Sequence, residues 1–244
     1  MHAEDLTIVT EDGTAPARIF GEEGCPGVLL YMDIFGPRPA LWAMAERIAS
    51  WGYRVLVPDL FYRVGNYGPF DAATAFDDDN TRAELLRLRD ATPQEMTARD
   101  TGAFIDALVA HGGIGPVGVV GYCMGGARAL TAAIAAPVRV AVAASFHGGG
   151  LASDAPDSPH LSAAKMKAFI YVGSAGVDRG FPPEQSALLA RTLREAGVDH
   201  MIENFPGMDH GWCVSDHGVY NAAGAERHWR RLQQIFAERL QPTG

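Results

Sequence analysis

Short apolar runs alternate with longer amphipathic stretches along most of this chain. The runs fall at 27–32, 53–57, 117–120, 138–144, 168–172 and 200–205. Each is continuous rather than alternating, which is the pattern of a strand covered on both faces in a parallel sheet. Before them, 6–10 and 15–20 flank Glu11-Asp12-Gly13 and predict an antiparallel hairpin. Between the runs, helices announce themselves by their ends. Thr92-Pro93-Gln94-Glu95 has the form of a capping box with proline at the first helical position. Pro182-Pro183-Glu184 opens a helix over 184–196 that Gly197 can close, and 222–240 is a long amphipathic helix. Residues 61–91 are less regular; Asp77-Asp78-Asp79-Asn80 precedes a short helix carrying Arg82, Arg87 and Arg89. The β/α alternation after an antiparallel hairpin predicts an α/β fold, a mostly parallel, doubly wound sheet flanked by helices.

Composition narrows the function. At 244 residues, with 48% hydrophobic and 20% charged residues, the chain can bury a substantial core, and with no repeat or low-complexity linker it reads as one domain, 1–244. A net charge of −9 without a basic stripe argues against nucleic acid as a partner. No run approaches the roughly 18 apolar residues of a membrane span, and Met1-His2-Ala3-Glu4-Asp5-Leu6 lacks the basic and apolar regions of a secretory signal. Cys25, Cys123 and Cys213 are odd in number and widely spaced, which fits neither a disulfide framework nor a zinc cluster. A cytoplasmic location is the expectation, where a thiol stays reduced.

One run carries chemistry. Gly121-Tyr122-Cys123-Met124-Gly125-Gly126 has the form of a nucleophile elbow with cysteine in place of serine, between the apolar run 117–120 and a small-residue helix. The glycines two positions either side of Cys123 suit a turn too sharp for side chains. A sulfur at a helix N-terminus also favours the thiolate. Such a nucleophile needs a base, and the base an orienting acid; in nucleophile–acid–histidine order these are Cys123, Asp178 and His210. Asp178 and His210 both follow predicted strands, at the end of a parallel sheet where active sites lie. Asp157, Asp154 and Asp199 are rival acids. An oxyanion hole would use the N–H groups of Met124 and Ile34.

Together, Asp33-Ile34-Phe35-Gly36, Gly121-Tyr122-Cys123-Met124-Gly125-Gly126, Asp178 and Pro206-Gly207-Met208-Asp209-His210-Gly211 resemble the dienelactone hydrolase family of the α/β-hydrolase superfamily, over about residues 15–240. The resemblance implies hydrolysis of a cyclic enol lactone or another ester by a Cys-His-Asp triad through a thioester, with no cofactor and no metal. Two positions depart from the well-studied branch. A glutamate that helps to deprotonate the cysteine is replaced by Asp33. An arginine that holds a substrate carboxylate, four residues after the histidine, is replaced by Val214. Arg82 and Arg87 are candidates for that carboxylate contact.

Other residues carry two readings each. Asp33 can activate the thiol or cap its own turn. His147 can line the pocket or be satisfied by backbone. Phe35, Tyr122 and Trp212 can form an apolar pocket wall or belong to the core. Asp209-His210 and Asp216-His217 have no second set at metal spacing. The expected partner is a small lactone or ester, and the chain is expected to be a monomer or small homo-oligomer. A broad carboxylesterase or thioesterase for neutral substrates, prompted by Val214, is the second reading. A non-hydrolytic thiol sensor is the third.

Overall fold

A computed structural model describes residues 3–240. Met1, His2 and 241–244, which the expected domain includes, lie outside the described residues. Eight strands form one sheet in the order β1-β2-β4-β3-β5-β6-β7-β8. β1 (Ala3–Thr10) and β2 (Gly13–Phe20) are the expected hairpin, with the turn reduced to Glu11-Asp12 because Gly13 already pairs with Thr10. β2 joins β4 (Arg54–Pro58) antiparallel. β3 (Cys25–Tyr31), β4, β5 (Gly113–Tyr122), β6 (Val140–Phe146), β7 (Phe169–Val177) and β8 (His200–Asp209) run parallel.

The helices are α1 (Pro39–Ala49), α2 (Asp79–Asp90), α3 (Gln94–Ala110), α4 (Met124–Ala135), α5 (Pro183–Glu195) and α6 (Ala222–Arg239), with a 3₁₀ segment at Pro159–Lys165. α1 and the turn after it meet α6, through the Arg47–Glu226 ion pair at 2.7 Å and the Trp51–Trp229 ring pair, 5.7 Å between centroids. α3 and α4 contact each other on the sheet, and the 3₁₀ segment links α4 to α5. No helix among the described residues is long and apolar enough to cross a membrane.

The central strands bury Val28–Tyr31, Val119–Tyr122 and Ala143–Phe146 almost completely, as their continuous apolar runs require. β8 departs from that expectation. It is the edge of the sheet, only Phe205 in it is buried, and Glu203 on it pairs with Arg227 and Arg231 of α6. Charge and a proline on an edge strand discourage pairing with another chain.

The expected capping box is also corrected. α3 starts at Gln94 behind Pro93, with no side-chain cap. The Thr92 hydroxyl donates instead to the Leu88 carbonyl at 3.0 Å, because the end of α2 leaves carbonyls without intrahelical donors. α2 itself starts at an Asp78 cap, whose carboxylate accepts from the Thr81 N–H at 2.7 Å.

After β3 the chain goes outward to β4. It then crosses back to β5 and continues outward on the other side. The reversal opens a crevice at the carboxyl ends of β3 and β5, where ligands bind in open α/β sheets. In-register pairing of Tyr31 with Gly121, and of Gly121 with Ser145, brings three strand ends level there.

Candidate active site

Cys123 stands between β5 and α4 with φ 54 and ψ −117, a left-handed backbone that is unusual for a residue other than glycine. The neighbouring glycines make this turn possible. A Cβ at Gly121 would strike the Gly125 carbonyl; one at Gly125 would come within 2.5 Å of the carbonyls of both Tyr31 and Met32. The turn therefore presses the start of α4 against the end of β3. The Cys123 N–H is shared between the Phe146 carbonyl and His147 Nδ1, at 3.1 Å each.

His210 follows β8 and faces the Cys123 side chain on one side, near enough for the charge of the sulfur to act on the imidazole. On the other, its Nδ1 donates to Asp178 Oδ2 at 2.8 Å. Asp178, at the end of β7, is held in turn by the Gly180 N–H on Oδ1 at 2.7 Å, and its side chain is only 3% exposed. Burial disfavours charge on His210, but a negative Cys123 sulfur and the Asp178 carboxylate outweigh it and push the imidazole pKa well up. The rival acids are elsewhere. Asp199 pairs with Arg239 at 2.9 Å, Asp154 is exposed, and Asp157 is at the pocket rim.

These residues open into a cavity of about 920 Å³. Ile34, Phe35, Met124, His210 and His217 line it with Cys123. Met124 is the first residue of α4, where N–H groups lack intrahelical acceptors, and Ile34 lies in the turn that leaves β3.

Several expected contacts fall differently. Asp33 is fully buried and its carboxylate is engaged by groups other than Cys123. Arg38 forks onto it at 2.7 and 2.9 Å, His217 Nε2 bonds it at 3.1 Å, and the Phe35 N–H donates to it at 3.0 Å. Arg38 also forks onto Asp216 at 2.6 and 2.8 Å, so this ion network ties the loop after β3 to the loop after β8. Asp33 is thus a turn and network residue here. Burial alone would raise its pKa, but His217 and Arg38 hold it below the usual carboxylate value.

Arg82 and Arg87 pair with Asp79 and Glu84 on the exposed face of α2, because a helix aligns partners three residues apart. The arginines that reach the cavity are Arg89 and Arg128. Tyr122 and Trp212 are fully buried beneath the site, and the Tyr122 hydroxyl bonds His228 Nε2 at 2.9 Å. Only Phe35 of the three expected aromatics lines the cavity.

His147 Nδ1 accepts from the Cys123 N–H at 3.1 Å, whereas its Nε2 is buried without a hydrogen-bond partner among the described residues. It lies below the nucleophile turn, 4.9 Å from the His210 ring and 5.3 Å from that of Trp212. Burial, reinforced by the neighbouring histidines, pushes its pKa far down. Val214 is fully buried. Among the described residues no cluster of histidine, cysteine and carboxylate side chains has the arrangement to hold a metal ion.

Neither Arg38 nor Arg128 stands out in the sequence, and His217 does so only as part of a pair weighed for metal. Arg38 joins its neighbour Asp33 to the distant Asp216, and His217 reaches Asp33 across 184 residues, so the network as a whole has no local signal. Arg128 had one: it is the single charged residue in the otherwise apolar and small α4.

A sharp strand–helix turn at the switch point of a mostly parallel sheet, with a histidine and a carboxylate converging on it from later strands, defines the α/β-hydrolase class. Solved structures agree in fold. A candidate dienelactone hydrolase from Klebsiella pneumoniae superposes with a TM-score of 0.84 at 21% identity, over 97% of this chain and 98% of its own. A dienelactone hydrolase-like promiscuous phosphotriesterase from metagenomic libraries superposes with a TM-score of 0.77 at 22% identity, over 98% and 99%. The model of the dienelactone hydrolase family matches residues 16–240, and the chain belongs to that family of hydrolases acting on ester bonds. Among its relatives, a Rhodococcus opacus carboxymethylenebutenolidase is 27% identical over 216 residues, 87% of this chain and 81% of its own. A candidate carboxymethylenebutenolidase from Synechocystis is 26% identical over 223 residues, 88% and 87%.

Proposed function

We propose that this protein hydrolyses a lactone or activated ester through a thioester on Cys123, with His210 as general base and acid and Asp178 orienting it. The observation that carries this reading is the convergence of Cys123 and His210, with His210 bonded to the buried Asp178 carboxylate, on a cavity large enough for a small substrate. In the first step Cys123 Sγ attacks the carbonyl carbon. The oxygen gains charge beside the N–H groups of Met124 and Ile34, and one such donor contributes about 3 kcal/mol to a transition state of this kind. His210 then gives its proton to the departing oxygen. It next takes a proton from water, which attacks the thioester and releases the acid and the free thiol. Each step uses groups of this chain alone.

A thioester route suits enol and aryl esters best, because their oxygen leaves readily without strong protonation. The test is turnover of a dienelactone, followed by loss of its ultraviolet absorbance, with 4-nitrophenyl acetate in parallel. Cys123→Ala is expected to lower both rates by at least about 10,000-fold while leaving the circular dichroism unchanged. Retention of turnover by that variant would remove Cys123 from the mechanism.

A further inference from the structure

We propose that His147 is a positioning residue, whose imidazole sets the place of Cys123 relative to His210. The proposal rests on the reading of Cys123 as nucleophile and His210 as its base. It gives a task to a side chain that does not itself line the cavity.

Among the described residues, two other than glycine have a left-handed φ, Cys123 at 54 and His147 at 40. The two are bonded to each other, His147 Nδ1 accepting the Cys123 N–H at 3.1 Å. Backbone of this kind persists only where its surroundings hold it, and it gathers at working sites. The surroundings of His147 do hold it. Its own N–H donates to the Gly173 carbonyl of β7 at 2.9 Å, and its ring is fully buried. The Cys123 N–H also reaches the Phe146 carbonyl at 3.1 Å, so two consecutive residues at the end of β6 grip the nucleophile turn.

This bond fixes the tautomer. An amide N–H can only donate, so Nδ1 keeps its lone pair and Nε2 carries the ring hydrogen. That hydrogen is buried and has no acceptor among the described residues. An unpaired buried donor is costly, and an apolar side chain would fill the same space without it. What an apolar side chain cannot supply is the acceptor for Cys123.

The same ring meets His210. The two centroids are 4.9 Å apart with the planes crossed at 63°, and Trp212 packs against His147 at 5.3 Å. One rigid side chain therefore touches both partners, the nucleophile through its backbone and the base through its ring. Cys123 leaves β5 and His210 leaves β8, with β6 and β7 between them in the sheet, so no hydrogen-bond ladder sets their distance. His147, at the end of β6, bridges the gap. It stays neutral while doing so. A proton at Nδ1 would face the Cys123 N–H, and His210, His217 and His228 oppose a further charge on it. Tyr122, the other titratable group beside it, lies 5.9 Å away between ring centroids.

Three substitutions test this. His147→Asn places an oxygen where Nδ1 stands and tolerates a left-handed φ. His147→Gly tolerates the φ and offers no acceptor. His147→Leu fills the space and offers none either. Turnover of 4-nitrophenyl acetate is measured per folded molecule by circular dichroism, and the His210 pKa by ring-proton NMR. His147→Leu and His147→Gly are expected to lower kcat by about tenfold or more with KM held within about twofold, because a small misplacement of reacting atoms suffices. His147→Asn is expected to recover most of that rate. The raised His210 pKa, which depends on the nearby sulfur, is expected to fall in the first two variants and to stand in the third. A merely structural role would leave it unmoved in every folded variant.

Wild-type kcat and His210 pKa in His147→Leu overturn the proposal. So does a His147→Asn enzyme as slow as His147→Gly, since the acceptor would then not matter. Full activity in His147→Gly overturns it as well, since the backbone conformation alone would then be what the site needs. If His147→Leu does not fold, the asparagine and glycine variants decide the question. A Cys123→Ala enzyme that still turns over the ester removes the nucleophile reading; the His210 pKa, which needs no turnover, then judges the positioning separately.

Discussion

The Cys123–His210 contact makes a prediction that belongs to a single side chain. The high pKa of His210 opposes its burial and depends first on the charge of the neighbouring sulfur, then on Asp178. Removing the sulfur in Cys123→Ala should lower the His210 pKa while its 2.8 Å bond to Asp178 remains. Asp178→Asn should lower it too, and should cut kcat by roughly a thousandfold to ten-thousandfold because the imidazole loses the partner that fixes its tautomer. Ring-proton NMR titration of His210 in the three proteins reads this directly. A pKa that does not move in Cys123→Ala would show that the histidine and the sulfur are not coupled. At the same scale, Asp33 illustrates what a motif leaves open. Its position after β3 fits the resemblance, yet its charge is spent on Arg38 and His217.

At the scale of elements, the site depends on how closely α4 can approach β3. Gly125 has no room for a Cβ because the carbonyls of Tyr31 and Met32 face it, and both belong to backbone that cannot rotate away. Gly125→Ala should therefore cost about 1–3 kcal/mol in chemical denaturation, the usual penalty for overpacking. It should lower ester turnover by a larger factor than that destabilisation explains, since the shift displaces Cys123 from His210. Equal activity per folded molecule would mean that the turn tolerates a wider gap. The ends of α2 and α3 show the same economy. Thr92 closes α2 with its hydroxyl, and its carbonyl receives Arg128, so one residue couples the α2 terminus to the wall of the cavity.

Across the whole molecule, buried neutral histidines make stability depend on pH. His228 is fully buried, donates Nδ1–H to the Ala225 carbonyl at 3.2 Å and accepts from Tyr122 at Nε2. Burial pushes its pKa down to about 3 from 6.5. The unfolded chain then binds the proton that the folded one refuses. The stabilisation is complete above about pH 6.5 and is lost as pH falls toward the folded value, by up to about 1.4 kcal/mol per pH unit for this one group. His147 contributes with the same sign, and His210, whose pKa is raised, with the opposite one: its share is complete below the unfolded value and declines as pH rises. His228→Gln keeps an acceptor for Tyr122 but does not titrate. The slope of unfolding free energy between pH 6 and pH 5 should be shallower in that variant by about 1.2 kcal/mol per pH unit. Parallel slopes would exclude His228 as a source of acid lability.

Several features of this protein are local in the chain, and the sequence determines them by itself. Continuous apolar runs specify buried strands because each residue there must be apolar on both faces. The Gly121–Gly125 spacing specifies a sharp turn around Cys123 because no other residue fits it. The order of Cys123, Asp178 and His210 follows from strand ends that topology gathers on one side of the sheet. Tertiary structure alone decided the rest. Whether β8 is central or at the edge depends on what lies beyond it, which no run of residues encodes. Which partner Asp33 takes, and which arginine reaches the cavity, depends on distances between segments up to 184 residues apart, as between Asp33 and His217. Arg82 and Arg87 find acids one helical turn away and stay on the surface. Arg128 has none within its own helix, so its charge is left to the packing around it.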